Sequence, residues 1–148
     1  MANNDELKNV VHNIVHEPTQ FPSEENLGYL TVGKIGKMTR GGALDFGGSE
    51  YREAEVDWIQ PELQSEDDKY GWWKLEPGLY LVEFNERLGF SDNSGVVLQI
   101  WSQALQAGVT HPTEIVTESR DPLRTLLQVG QPGSNIKENA RLSEVRLI

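Results

Sequence analysis

Apolar positions near the start of the chain recur at helical spacing. Between residues 3 and 16 they fall on one side of a helix, at Leu7, Val10, Val11, Ile14 and Val15. Asn3 or Asn4 has a side chain suited to capping the first turn, and Pro18 follows the expected end. The pattern predicts an N-terminal helix within residues 1–17 and a polar linker, too polar to pack, over residues 17–27.

From Gly28 onward the apolar pattern is typical of strands. Short β-branched or alternating runs separated by turn residues predict strands at residues 28–38, 53–59, 72–84, 95–101, 113–117, 124–129 and 140–148. Glycines in the first run indicate a bent or bulged strand. In the second run, alternation directs Trp58 inward, and a Pro77-Gly78 turn divides the third run. Closely spaced short strands predict a mostly β fold, a barrel or a sandwich, in one domain over residues 1–148 with the β-barrel in residues 28–148.

One short internal helix interrupts this pattern. A single helical turn is predicted over residues 103–107, with Ser102 as its N-cap and Gly108 in the left-handed position that ends it. Thr110 and His111 follow directly. Because a corner rich in hydroxyl groups next to a strand often binds a ligand, this segment is a candidate site.

Composition excludes several classes of function. The 148 residues carry a formal net charge of -10 and no cysteine. The acidic balance argues against a duplex nucleic acid partner, and the lack of thiols gives no support to a zinc site or to secretion. No apolar run reaches the ~20 residues that a membrane span needs, and no signal peptide is recognisable, so we expect a cytoplasmic protein with no membrane partner.

Several segments resemble, in order, the dCTP deaminase and dUTPase family, especially its archaeal-type members. They are GGALDFGG (41–48), ERLGF (86–90), WSQALQAGVTHPT (101–113), LLQVGQPG (126–133) and KENARLSEV (137–145). The resemblance implies a dUTPase-like β-barrel (β-clip) that assembles as a homotrimer with sites shared between neighbouring subunits. It also implies a deoxynucleoside triphosphate as ligand, with Mg²⁺ bound through the nucleotide phosphates.

Two reactions occur in the family, and both need a carboxylate close to a water molecule. In dUTPases an aspartate activates water to attack the α-phosphate, whereas in dCTP deaminases a glutamate acts on water at the cytosine. This chain has Gln128 where the deaminases carry that glutamate, and glutamine cannot take a proton. It also has Trp101 in place of the phosphate-binding arginine of the family's Arg-Ser-Ser turn. The resemblance therefore favours dUTP diphosphatase over deaminase.

The residues that the resemblance assigns to the site fall into two groups. The aspartate that the resemblance expects falls near Thr117, and the candidate catalytic carboxylates that could replace it through a shift of this loop are Glu118 and Asp121. Candidate nucleotide-binding residues are Asp45, Ser102, Gln103, Gly108, Thr110, His111, Arg120 and Gln128, and no residue is assigned as a direct metal ligand.

Other interpretations of these residues stay open. Asp45 could instead cap a glycine turn, and His111 could form a buried hydrogen bond to backbone. Three arginines could either bind phosphate or lie on the surface: Arg120, Arg124 and Arg141. An aromatic platform for a sugar could be built from the tryptophans at 58, 72, 73 and 101. The competing functional hypothesis is a catalytically inactive family member that serves as a nucleotide-binding or structural trimer.

Overall fold

The structure, a computed structural model, describes residues 4–148. In chain order its elements are α1 (Asp5–Lys8), β1 (Val11–His12), α2 (Glu17–Gln20), β2 (Gly28–Arg40), β3 (Glu55–Trp58), β4 (Trp72–Leu75), β5 (Gly78–Phe84), β6 (Arg87–Leu88), β7 (Val96–Ile100), α3 (Ser102–Gln106), β8 (Val109–Thr110), β9 (Glu114–Val116), β10 (Arg124–Val129), β11 (Ser134–Lys137) and β12 (Arg141–Leu147). The predicted mostly β fold is confirmed. Within residues 4–148, no helix has the length and apolar character needed to cross a membrane.

One antiparallel sheet curls into a half-barrel and carries most of the core. Its strand order is β8-β10-β5-β2-β12-β7-β9, with β3 paired to β2. The long strand β2 is bulged, as its glycines predicted, because its register shifts between Val32 and Lys34 against β5 and between Met38 and Arg40 against β3. These shifts allow one strand to pair with β12, β5 and β3 along its length.

Buried and exposed side chains alternate strictly along β10, so one face of the strand packs in the core and the other is exposed. Thr125, Leu127 and Val129 are buried, whereas the intervening side chains, Arg124, Leu126 and Gln128, are exposed. Leu127 is fully buried in the main core. Since alternate side chains in a strand point to opposite faces, the burial of Leu127 directs Gln128 outward.

The continuous N-terminal helix predicted for residues 3–16 is wrong. The helical part is one turn, α1, and the chain then enters β1, in which Val11 pairs with Leu88 of β6. Asn13, with φ of 67°, adopts a left-handed conformation that a helix cannot include. The predicted cap Asn3 lies outside the described residues. Asn4 is buried and donates from Nδ2 to the carbonyls of Pro22 and Glu24 instead of capping α1.

The prediction that residues 17–27 are too polar to pack is also wrong. Helix α2 lies within this segment, and Gln20, Phe21 and Leu27 are buried. The polar side chain of Gln20 is buried because each of its atoms finds a partner: Oε1 accepts from the Val15 and His16 N–H groups, and Nε2 donates to the Tyr29 carbonyl and to Glu86. Hydrogen bonding thus offsets the cost of removing the amide from water.

The tryptophans separate into core and surface positions. Trp73 is buried and Trp72 is half-buried, because adjacent residues of β4 face opposite sides. The inward orientation predicted for Trp58 is wrong, since its side chain remains 40% exposed. Trp58 lies on β3, which pairs with β2 alone, and its ring lies over Gly36 with Lys34 and Arg124 on its face. The predicted turn before Gly78 is confirmed as the boundary between β4 and β5.

Candidate functional site

The pairing of β8 with β10 brings three of the predicted nucleotide-binding residues together. Gln128 lies opposite Thr110 in this register, and His111 follows directly. They line a cavity of about 340 Å³, which we call the edge pocket. Its lining residues are Leu79, Thr110, His111, Pro112, Leu126 and Gln128. The volume falls within the range of small-molecule sites.

The walls of the edge pocket combine apolar side chains with neutral polar ones. Leu79 and Leu126 are 54% and 42% exposed and lie on the neighbouring strands β5 and β10. Gln128 adds an amide that can both donate and accept a hydrogen bond. None of the lining residues is a carboxylate. The pocket therefore suits a neutral ring with a polar edge.

His111 is held in a defined neutral form. Its Nδ1 lies 2.8 Å from the Pro112 carbonyl, which can only accept, so Nδ1 carries the proton. Nε2 then accepts from the Ser143 hydroxyl at 2.6 Å. Burial lowers the pKa of the His111 imidazole below its usual value, partly opposed by the Pro112 carbonyl and by the Glu114 charge. The hydrogen bond to backbone that sequence considerations allowed for His111 is confirmed, and both ring nitrogens are already engaged.

Helix α3 positions Ser102 and Gln103 of the segment Trp101-Ser102-Gln103, which we call the serine turn. The predicted N-cap role of Ser102 is wrong: Trp101 is the N-cap and Ser102 is the first helical residue. Gly108 adopts φ of 100°, the left-handed conformation predicted for it, and its carbonyl accepts from the Gly130 N–H at 2.9 Å. That bond ties the end of α3 to the end of β10. Gln103 does not line the edge pocket but a second cavity.

The second cavity has Trp101 in its wall. Its volume is about 540 Å³, and it shares no lining residue with the edge pocket. It is lined by Val15, His16, Thr19, Gln20, Thr31, Tyr70, Trp101, Gln103, Lys137, Glu138, Asn139, Ala140 and Arg141. We call it the basic cavity because Lys137 and Arg141 contribute to its wall. The sequence assigned only Gln103 of this set to a site, and interpreted Arg141 as a surface residue by default, with phosphate binding as the alternative.

A buried carboxylate lies behind the wall of the basic cavity. Glu86 is only 1% exposed and accepts hydrogen bonds from the Thr31 N–H at 2.8 Å, the Thr31 hydroxyl at 2.5 Å and Gln20 Nε2 at 2.8 Å. Asn85 Nδ2 adds a bond to the Thr31 hydroxyl oxygen and another to Asn139 Oδ1. Burial raises the pKa of Glu86, although the hydrogen bonds from Thr31 and Gln20 oppose the shift. Glu86 lies in the ERLGF segment but was not assigned a role.

The predicted catalytic carboxylates lie apart from both cavities within one chain. Glu118 and Asp121 are exposed and line neither the edge pocket nor the basic cavity. Arg120, between them, pairs with Glu114 at 2.7 Å through Nη1. Its backbone also bridges to Leu88. Within one chain, Glu118 and Asp121 therefore do not line the pocket that Gln128 lines.

Asp45 lies in an exposed turn distant in sequence from these elements. Its two carboxylate oxygens accept from the backbone N–H groups of Gly48 and Glu50, at 3.0 and 2.8 Å. This is the turn-capping role that the glycine-rich sequence allowed. In the part of the chain that the structure describes, no three His, Cys, Asp or Glu side chains converge as a metal site.

No protein-family model matches the chain. The chain is 28% identical over 138 residues to a probable deoxyuridine 5'-triphosphate nucleotidohydrolase from Methanosarcina mazei, covering 92% of this chain and 76% of that protein. Among solved structures, it is similar to a 2'-deoxycytidine 5'-triphosphate deaminase from Agrobacterium tumefaciens, with a TM-score of 0.64 and 11% identity over 99% of this chain. The match covers 47% of the deaminase, so the chain spans about half its length.

The structural similarity defines the fold as the one that the Agrobacterium deaminase adopts. The sequence similarity to the Methanosarcina protein agrees with the predicted resemblance to the dCTP deaminase and dUTPase family. The resemblance predicted from the sequence segments is therefore confirmed.

Proposed function

We propose that the protein binds deoxynucleoside triphosphates and hydrolyses dUTP to dUMP and pyrophosphate. The observation that carries the proposal is the edge pocket, in which Gln128 and Thr110 face each other across β10 and β8 beside exposed leucines. A pyrimidine ring is flat and uncharged and carries donors and acceptors on its edge. The Gln128 amide can pair with such an edge, and Leu79 and Leu126 offer apolar contact to its faces.

Gln128 also favours hydrolysis over deamination. A deaminating residue must take a proton from water, which a carboxylate can do and an amide cannot. Since Gln128 is the polar side chain of β10 at the pocket, we propose a role for it in recognition rather than in proton transfer. The activity belongs, in this proposal, to pyrimidine deoxynucleotide metabolism in the cytoplasm.

Water activation is assigned to Glu118 or Asp121. Both are solvent-exposed on the segment between β9 and β10, so a neighbouring subunit's nucleotide could reach them. We therefore propose a homotrimer with sites shared between subunits, as the family resemblance implies. Mg²⁺ would be carried by the triphosphate and would neutralise charge on the phosphates, since Mg²⁺ prefers oxygen ligands and is commonly held by phosphates with one or two carboxylates.

A second candidate function is a catalytically inactive, nucleotide-binding trimer. It is favoured by the lack of any carboxylate among the edge-pocket residues and by the uncharged Trp101 at the first position of the serine turn. In this case the edge pocket binds nucleotide without turnover. The two functions differ in chemistry and not in ligand.

Turnover assays separate the two candidates. Purified protein is incubated with Mg²⁺ and each deoxynucleoside triphosphate, and pyrophosphate and ammonia are both measured. We expect pyrophosphate from dUTP and no ammonia from dCTP. Glu118→Gln and Asp121→Asn are assayed in parallel, and loss of turnover in one identifies the base. Pyrophosphate release that is unchanged in both variants rejects these two residues, whereas binding without any turnover supports the inactive trimer. A monomer by sedimentation rejects the shared site.

A further inference from the structure

The basic cavity concentrates positive charge in an acidic protein. The chain has 23 acidic and 13 basic residues, yet Lys137 and Arg141 both face this one cavity. Across residues 4–148, neither of the two forms an ion pair with a carboxylate. A protein with this excess of acidic side chains could neutralise both cations easily. Their unpaired state indicates that an external anion can approach them.

Aromatic rings hold the Arg141 guanidinium in place. Its Cζ lies 4.3 Å from the centre of the Trp101 ring and 5.0 Å from that of Tyr29. The two rings themselves meet edge to face at 5.3 Å. A guanidinium stacked on an aromatic face keeps its N–H groups free at the edge of its plane, where they can form paired bonds to a phosphate. Arg141 is thus pre-oriented for an anion before one arrives.

Lys137 and Glu138 also contribute charged groups to the wall of the basic cavity. Lys137 Nζ lies 5.7 Å from the centre of the Trp72 ring, so its ammonium is also held by an aromatic face. The acidic residue that lines the cavity, Glu138, accepts the Gly71 N–H through Oε2 at 2.7 Å. A backbone hydrogen bond therefore already engages one oxygen of this carboxylate. Gln103, Asn139 and Thr19 add neutral polar groups to the wall.

We infer that the basic cavity is a polyphosphate-binding site in which Arg141 is the principal anchor and Lys137 the second cation. Trp101 stands where the family resemblance expects an arginine, and the guanidinium stacked on its ring comes instead from β12. The positive charge is thus relocated from the serine turn to the strand beside it. That the phosphate belongs to a deoxynucleotide rests on the proposed function; the anion site itself does not.

The first test uses inorganic tripolyphosphate, which carries no base and undergoes no family reaction. Calorimetry compares the unmodified protein with Arg141→Met and Lys137→Met, in which the aliphatic stem remains and the charge is lost. The matched control is Arg52→Met, which removes an exposed arginine outside both cavities. We expect about tenfold or greater weakening for Arg141→Met, less for Lys137→Met and no change for the control. Equal affinity for all four proteins, or no binding by the unmodified protein, overturns the inference.

Arg141→Lys tests whether stacking matters as well as charge. The ammonium keeps the charge but cannot present a planar pair of donors, so we expect tripolyphosphate affinity between those of the unmodified protein and Arg141→Met. Circular dichroism checks that each variant is folded. If Arg141→Lys binds tripolyphosphate as tightly as the unmodified protein does, the planar pair of guanidinium donors is not needed for binding.

Turnover of dUTP distinguishes this inference from the proposed function. If the unmodified protein hydrolyses dUTP, Arg141→Met should raise KM several-fold with a smaller effect on kcat. Unchanged KM and kcat reject the phosphate role of Arg141 and leave the proposed hydrolysis intact. If dUTP is not hydrolysed but tripolyphosphate binding depends on Arg141, the proposed reaction fails and the anion site stands.

Discussion

The edge pocket and the basic cavity differ in charge. Each has a buried titratable residue in its wall or directly behind it, and the pKa values of these two residues are shifted in opposite directions. The edge pocket has a neutral lining, and burial lowers the pKa of its histidine, His111. The basic cavity has two unpaired cations, and burial raises the pKa of Glu86 behind its wall. In both cases burial favours the uncharged form of the residue. This difference indicates that the edge pocket suits a neutral ring and that the basic cavity suits a charged polyphosphate.

Of the two hydrogen-bond networks beside the cavities, the one around the Glu86 carboxylate behind the basic cavity is expected to contribute more to stability. Thr31→Val removes the hydroxyl that donates to Glu86 at 2.5 Å and accepts from Asn85. Because a buried acceptor then loses a partner, we expect the free energy of unfolding to fall by about 2–3 kcal/mol. Urea unfolding measures the change. Thr39→Val, at an exposed position of the same strand, is the matched control. A loss as small as that of the control contradicts the assigned importance of the network.

The corresponding change behind the edge pocket is expected to be smaller. Ser143→Ala leaves His111 Nε2 without its donor at 2.6 Å, and His111 is the less buried of the two titratable residues. The cost expected for one buried, neutral acceptor is about 1–2 kcal/mol in the free energy of unfolding. The same urea titration measures it, with exposed Ser23→Ala as the control. If Ser143→Ala is neutral, the hydrogen bond that fixes the His111 tautomer contributes nothing measurable.

The two sites should respond to pH in opposite directions. Glu86 has a raised pKa when folded, so its favourable contribution is present at low pH and is lost as pH rises from the usual glutamate pKa through the folded value. His111 has a lowered pKa when folded, so its contribution is present at high pH and is lost as pH falls from the usual histidine pKa through the folded value.

Unfolding measured as a function of pH tests this contrast. Glu86→Gln should remove the decrease in stability on the alkaline side, and His111→Asn should remove the decrease on the acid side. Each comparison is made as a difference from the unmodified protein, so that other titrating groups cancel. Identical pH profiles for the two variants and the unmodified protein would show that the two residues have ordinary pKa values.

The smallest effect on stability is expected on the outer face of β10. Leu126→Ala removes a side chain that is already 42% exposed, so we expect a change of about 0.5 kcal/mol or less, together with weaker nucleotide binding in the edge pocket. Leu127→Ala, one residue along, removes a fully buried side chain and should cost about 2–5 kcal/mol. Nucleotide titration and urea unfolding measure the two properties. A large stability loss for Leu126→Ala means that its side chain packs in the fold and not against a ligand.

The sequence predicted those parts of the molecule that depend on local patterns. The apolar run at residues 124–129 predicted the strand that the structure shows as β10, and Gly108 ends α3 in the predicted conformation. At the N-terminus the same method failed, because apolar spacing cannot show that Val11 pairs with Leu88 or that Asn13 reverses the chain. Ser102 was predicted as the N-cap from its residue type alone. In the structure Ser102 is instead the first helical residue, because the helix begins one residue earlier than predicted.

The electrostatic features of the candidate site depend on contacts between distant segments. Glu86 is buried by partners 55 and 66 residues away, and Arg141 is oriented by rings that precede it by 40 and 112 residues in the chain. No local pattern distinguishes either residue from a surface charge. Residues that the pairing of β8 and β10 brings together, Thr110, His111 and Gln128, were predicted because family resemblance had already related those segments.

Calorimetric titration with a non-hydrolysable dUTP analogue tests the central claim, that the edge pocket holds the base and the basic cavity the phosphates. The unmodified protein should bind one nucleotide per chain. Gln128→Leu and Arg141→Met should each weaken binding by about tenfold, and Arg52→Met should bind like the unmodified protein. Tripolyphosphate affinity should fall in Arg141→Met but not in Gln128→Leu. Nucleotide affinity that is unchanged in Gln128→Leu and in Arg141→Met would contradict the account.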